Sequence, residues 1–271
     1  MAGTPRCHMM EPMKLIPLGT NGFFSTFGRQ TQCYLVLTDE AAVLLDAGTG
    51  LARLIEPEIA KLLQSYDRLD IFLSHYHLDH CVGLAYLPEV WQDCEVVIHG
   101  PAPPFATATP DEALSRLLNV PFSAPLAVFP MKSEVVPVNE SAMSVSGLDM
   151  TFRGQKHMFG SMGIRIGDDI AYVTDTIADE GTIDLARNVK LLMHEVYITD
   201  SELETDEISA RNHSHVSGVA RIAREANVGR LMIMHHHPRR TPAGVTDLAH
   251  AFEKLAGREV IVPEESKVYD L

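Results

Sequence analysis

Four cysteines are few for a chain of 271 residues, and none of them forms a CxxC pair. Cys7, Cys33, Cys81 and Cys94 are spread too thinly for a disulfide framework, so they read as reduced thiols of a cytoplasmic protein. Cys81 is expected to serve helix packing. Long apolar runs are missing as well. No stretch approaches the roughly 18 residues that a membrane span needs, and residues 1–13 carry Arg6 but no apolar core of the kind a secretory leader has. Positive charge is scarce: 22 Lys and Arg face 36 Asp and Glu, a formal net charge of −14. Such a surface repels polyanions and argues against broad nucleic-acid binding. A small anionic substrate stays allowed, because the charge of a bound metal can outweigh a distant negative surface. No low-complexity linker divides the chain and no exact repeat occurs, so residues 1–271 are expected to form a single domain.

What is present is 46% hydrophobic residues, enough for a sizeable core. Strands are expected over 13–18, 31–38 and 41–46, then helical spacing over 51–63 and a buried strand over 69–73. Segment 100–137 reads as loops around one helix at 111–119. The second half repeats the theme, with strands at 142–146, 150–155, 162–166 and 170–174 and an apolar run at 189–193. A helix is expected over 214–227, a strand over 230–234, a helix over 245–255 and a short strand over 259–262. Two strand-rich halves with helices outside suggest an α/β arrangement of four layers, two sheets face to face and helices covering both.

The densest chemistry is Ser74-His75-Tyr76-His77-Leu78-Asp79-His80, which puts three imidazoles and a carboxylate into six residues directly after an apolar strand. Neutral imidazole and carboxylate suit Zn, Mn or Fe. Alternation along an extended piece sets His75 and His77 on one side, and the next helical turn can present Asp79 and His80 to a second position.

This HxHxDH run resembles the metallo-β-lactamase fold superfamily, in its ribonuclease Z-like and phosphodiesterase-like branch. Further motifs follow in that family's order: His157 in Gly154-Gln155-Lys156-His157, Asp175 at the end of Ala171-Tyr172-Val173-Thr174-Asp175, and His235 after Leu231-Met232-Ile233-Met234. The resemblance implies an αβ/βα sandwich of two mixed sheets flanked by helices. It also implies two divalent ions, zinc by default with Mn or Fe as alternatives: one on His75, His77 and His157, the other on Asp79, His80 and His235, with Asp175 bridging. Alignment selects His235 over its neighbours His236 and His237.

His213, in Asn212-His213-Ser214-His215, matches the family's proton donor, and Glu195 matches the acid that orients it. Ser214 is expected to cap the following helix. The catalytic residues implied are His213, Glu195 and Asp79. Arg239 and Arg240, with His237 at the mouth, are candidates for gripping substrate oxygens. The implied reaction is hydrolysis of a small or cyclic phosphodiester by a metal-bridging hydroxide, with His213 as general acid. A lactone, thioester or carboxylic-ester hydrolase on the same site and a non-catalytic metal-binding sensor are the alternatives. Ribonuclease Z carries a long arm for transfer RNA between the ligands matching His157 and Asp175. Here 17 residues separate them, which sets this chain apart. A homodimer is open to this branch.

Overall fold

The computed structural model describes residues 12–91 and 94–271, so the reading of the first eleven residues, Cys7 included, lies outside it. Thirteen strands are present among the described residues. In chain order they are β1 (Lys14–Gly19), β2 (Cys33–Leu37), β3 (Ala42–Leu45), β4 (Arg68–Phe72), β5 (Glu95–Pro101), β6 (Ser133–Val138), β7 (Ala142–Val145), β8 (Leu148–Gln155), β9 (Ser161–Ile166), β10 (Ile170–Val173), β11 (Leu191–Glu195), β12 (Arg230–Met234) and β13 (Tyr269–Asp270). The helices are α1 (Pro57–Leu63), α2 (Leu78–Cys81), α3 (Leu87–Val90), α4 (Pro110–Leu117), α5 (Gly181–Leu185), α6 (Glu207–Asn212), α7 (Val216–Glu225) and α8 (Pro242–Ala256).

One sheet runs β13-β1-β2-β3-β4-β5-β6 and the other β12-β11-β10-β9-β8-β7. Both are mixed. The first turns from antiparallel to parallel pairing at β3–β4, and the second does so at β10–β11. The two-residue pleat explains the layers. On β2, Tyr34 and Val36 face the layer between the sheets, while Cys33, Leu35 and Leu37 face outward under the first half's helices. On β10, Ile170 and Tyr172 point inward, and Ala171 and Val173 point toward α7 and α8. Strands buried on both faces need near-continuous apolar sequence, which is what these segments have. The result is an α/β sandwich of two mixed sheets flanked by helices, as expected.

Several expectations change. Residues 49–55 wind as a 3₁₀ segment before α1 starts at Pro57, where a proline without an N–H suits the first turn. Segment 100–137 is not all loop around α4, because β6 closes the sheet edge. Its Pro137 and half-exposed pattern hide it from a periodicity reading. Residues 259–262 form no strand; Ile261 makes a single bridge to Met232. Cys81 is buried in the outer core of the first half, its thiol 3.2 Å from the His77 carbonyl.

A buried carboxylate links the two sheets. Asp70 on β4 accepts from His99 Nε2 (2.8 Å), from the Arg68 guanidinium (2.7 and 3.0 Å) and from Ser146 Oγ in the β7–β8 turn (2.7 Å). His99 also stacks on Phe72, with ring centroids 4.3 Å apart. Burial alone would raise this carboxyl, but the hydrogen bonds from His99, Arg68 and Ser146 outweigh it and hold the group below the usual carboxylate range. A depressed folded-state pKa contributes stability above the unfolded value, about 3.9, that is lost as pH falls through the folded value. Asp70→Asn, which leaves buried donors poorly matched, is expected to cost about 1–3 kcal/mol at pH 7. Denaturant unfolding of both proteins should show that deficit shrinking below about pH 4; a deficit unchanged by acid would assign the loss to shape alone.

Candidate metal centre

The chemistry-bearing side chains leave the carboxyl ends of β3, β4, β8, β10, β11 and β12, the usual place for a site on such sheets. Three of these exits turn through left-handed backbone: Asp46 (φ 60°), Asp175 (φ 47°) and His235 (φ 52°). After β4 the chain bends at Ser74, and His77, whose own backbone is extended, precedes the short α2 that carries Asp79 and His80.

These segments converge. His75, His77, His157 and Asp175 offer donor atoms that all lie within 4.8 Å of one another, and so do Asp79, His80 and His235. Asp175 faces both groups. Its Oδ1 is 3.8 Å from His75 Nε2 and 3.7 Å from His157 Nε2, whereas its Oδ2 is 3.1 Å from His80 Nε2 and 3.2 Å from His235 Nε2. Asp79 Oδ2 stands 3.3 Å from His80 Nε2 and 3.4 Å from His235 Nε2. All seven residues picked out in the sequence are therefore in one cluster.

The surrounding contacts orient the rings so that Nε2 points into the cluster. His80 Nδ1 is bonded to Asp46 (2.7 Å), His157 Nδ1 to the Asn212 carbonyl (3.1 Å), and His75 Nδ1 to Ser74 Oγ (3.0 Å). Asp46 also accepts from Ser74 N (2.6 Å), Ser74 Oγ (2.8 Å) and Tyr172 OH (2.6 Å). Outer partners of this kind set the tautomer that a ligating imidazole needs. His75 Nε2 is left buried without a hydrogen-bond partner. The Phe23 N–H donates to Asp79 Oδ2 (2.6 Å), and Gly22 is required beside it, since a Cβ there would lie 2.5 Å from the His235 ring.

Electrostatics divide the cluster. Burial and neighbouring imidazoles push His75 well below its ordinary pKa, and burial also lowers His77 and His157, so these rings are neutral lone-pair donors. At His80 and His235 burial is overcome by Asp79 and Asp175, and His235 is pushed up to about 10. That half of the site attracts positive charge. Neutral imidazoles beside buried carboxylates, with an unmatched Nε2 aimed inward, fit divalent ions.

Beside the cluster, His213 Nδ1 lies 2.8 Å from Glu195 Oε2, and the ring stacks on Tyr197 with centroids 4.0 Å apart. Glu195 is fully buried and accepts from Thr176 N (2.6 Å) and Ser214 N (3.3 Å). Burial would raise this carboxyl; the charge and hydrogen bond of His213 and the bond from His235 hold it down at about 2. The cap of α7 is His215, whose side chain accepts from Gly218 N, and not Ser214, which is buried and donates to the Thr176 carbonyl. His194 is structural, bonded at 2.8 Å to the Glu195 carbonyl.

Arg239 and Arg240 are not brought to the cluster, and His237 reaches it only through Tyr197, on whose ring it packs with centroids 4.7 Å apart. All three line a separate cavity of about 310 Å³, and Arg240 is tied to the Tyr197 carbonyl (3.0 Å) and Glu202 (2.8 Å). Asp46, the Phe23 N–H, Tyr197 and α6 escaped the sequence reading. Asp46 lay in Asp46-Ala47-Gly48-Thr49-Gly50, which reads as a plain turn, although an acid at a strand exit was the available signal. The short α6, whose end places Asn212 and His213, has too few residues to show a period.

Comparison with known proteins agrees with this geometry. Residues 26–207 match the family described as the metallo-beta-lactamase superfamily. A ribonuclease Z from Thermoplasma acidophilum is 26% identical over 96% of this chain and 98% of its own. Among solved structures, the metallo-beta-lactamase fold protein YhfI from Bacillus subtilis superposes with a TM-score of 0.73 at 20% identity, covering 96% of this chain and all of its own. Unliganded yeast PDE1 gives 0.74 at 14% identity, covering 97% of this chain and 100% of its own. The chain is a metallo-hydrolase of the metallo-beta-lactamase superfamily.

Proposed function

We propose that this chain is a dinuclear phosphodiesterase acting on a small or cyclic phosphodiester, built as one catalytic domain. The observation that carries the reading is the His213–Glu195 pair beside a carboxylate whose two oxygens face two separate donor groups. His75, His77 and His157 would hold one ion and Asp79, His80 and His235 the other, with Asp175 between them. Bound there, two dications supply an acidified water near neutral pH and charge to match the phosphoryl oxygens.

The chain's own residues do the rest. Asp46 and Asn212 hold the His80 and His157 rings, and the Phe23 N–H holds Asp79 in place. Glu195 accepts from His213 Nδ1, which leaves Nε2 to deliver a proton to the departing ester oxygen. Tyr197 packs flat on that ring and limits its rotation. A thioester releases a thiolate that needs no such donor, so the pair disfavours a thioester; a lactone, like an alkyl phosphodiester, expels an alkoxide and is separated by the turnover test.

The substrate size is inferred from what the chain lacks. Between His157 and Asp175 it has only the β9–β10 hairpin, and its formal charge is −14. The named ribonuclease Z relative acts on RNA; here an acidic surface without an added arm speaks for a smaller anion. Zinc is the first choice of ion for a His-rich set, with Mn and Fe next. The test is turnover of bis(p-nitrophenyl) phosphate, a lactone and a thioester by protein stripped of metal and reloaded with Zn or Mn. Metal-dependent cleavage is expected for the phosphodiester above the other two. Lactone or thioester turnover alone, in protein holding two ions, would transfer the assignment to the ester-hydrolase reading.

A further inference from the structure

Two cavities meet at the cluster. The first, about 390 Å³, is lined by the reacting groups, among them His157, Asp175, His213 and His235. The second, about 510 Å³, lies beyond His77, Leu78 and Met158, which border both. Its wall includes Ala113 and Leu117 of α4, Ala108 and Phe159, and His213 takes no part in it. Either volume suits a small ligand.

Beside His77 the border is apolar and displayed: Leu78 is 61% exposed and Met158 52%, and Phe159 next to them in the second cavity is 67% exposed, an expensive arrangement unless something covers them. It is also held in place. Phe159 has a left-handed backbone (φ 65°), its carbonyl accepts from Thr107 N (3.2 Å), and the next residue is Gly160, where a Cβ would meet the Phe105 carbonyl at 2.3 Å. The pair is thus presented by a fixed turn. Among the described residues no Lys or Arg lines the first cavity, while Arg116 joins the lining of the second.

We propose that the second cavity receives an apolar arm of the substrate, so that the substrate class is a phosphodiester with one hydrophobic alkyl or aryl substituent. The inference rests on the phosphodiesterase reading. His213 serves the leaving oxygen and lines only the first cavity, so the leaving group lies on the His213 and Tyr197 side. The group that stays on phosphorus is then directed across Leu78 and Met158 into the second cavity. Hydrolysis breaks the P–O bond to the leaving group, water supplies the new oxygen on phosphorus, and the retained arm leaves as its phosphate monoester.

The test uses metal-loaded protein and alkyl p-nitrophenyl phosphates with methyl, butyl and hexyl arms, so that the leaving group never changes. In the wild type, kcat/KM is expected to rise about threefold per methylene, roughly 240-fold over the five methylenes from methyl to hexyl. Ala113→Trp, which fills the cavity, and Phe159→Asp, at an exposed position that does not endanger folding, should each cut the hexyl-to-methyl ratio at least tenfold. A flat wild-type series with good turnover would overturn the arm site and leave the phosphodiesterase reading standing. A rising series that neither variant changes would also overturn it, by locating the arm elsewhere. Absence of turnover for every ester, in protein holding two ions, would sink both.

Discussion

Asp175→Asn is expected to reduce bound divalent metal from two ions per chain to at most one and to lower phosphodiester turnover by at least about a thousandfold, as losing a shared ligand should exceed the 10–100-fold typical of outer-shell changes. The reason is the division of labour within one carboxylate. Oδ1 faces His75 and His157, and Oδ2 faces His80 and His235, each oxygen within 3.8 Å of its imidazoles. Asparagine keeps the size but replaces one of these anionic oxygens with an amide NH₂, which repels a cation. It also removes the charge that two closely held dications require between them. Metal analysis of purified protein gives the first readout. The second is thermal: a ligand at a hundredfold excess over its Kd stabilises the native state by roughly 2.7 kcal/mol, so the wild type should gain melting temperature on metal addition and the variant should gain much less. Full metal content with full thermal response in the variant would remove Asp175 from the bridging role.

His213→Ala should leave metal content intact and act on the leaving group instead. General acid catalysis is worth about 10²–10⁴-fold, and its whole value appears only when the departing oxygen is a poor leaving group. Turnover of an alkyl leaving group is therefore expected to fall by that range, while a p-nitrophenyl ester, whose phenolate departs without help, falls much less. The contrast separates this role from a competing one. His213 also lies close enough to Asp175 and His235 to share an ion with them. Were it a ligand, the variant would lose metal and slow both esters alike. Glu195→Gln should follow the same leaving-group pattern more weakly, since it alters the orientation of the ring and leaves the ring in place.

Much of this was legible because it is local. His75, His77, Asp79 and His80 lie within six residues of contiguous chain, and Asp175 and His235 each follow an apolar strand that periodicity marks clearly. The two-sheet architecture was equally readable, since strands such as β2 and β10 are apolar on both faces. What stayed hidden depends on contacts distant in sequence or on short elements. Asp46 acquires its role from His80, 34 residues later, and from Tyr172, 126 residues later. The Phe23 backbone meets Asp79 across 56 residues. The Arg239-Arg240 pair follows His235 closely, yet the chain after His235 turns both away into another cavity, where Glu202 claims Arg240. Sequence adjacency to a ligand carried no information about direction.

The left-handed exits at Asp46, Asp175 and His235 restrict the alphabet from which this centre can be spelled. After glycine, the residues that occupy such backbone most readily are Asn, Asp and His. Two of those three are also among the good ligands for a borderline dication. Glutamate offers the same charge as aspartate but lacks that tolerance, and its longer arm would overshoot. The backbone therefore selects short carboxylates and imidazoles at these places before any ion is considered. An exchange between Asp and His at position 175 or 235 is therefore one this backbone accommodates, and it would retune the preferred ion while leaving the two sheets untouched.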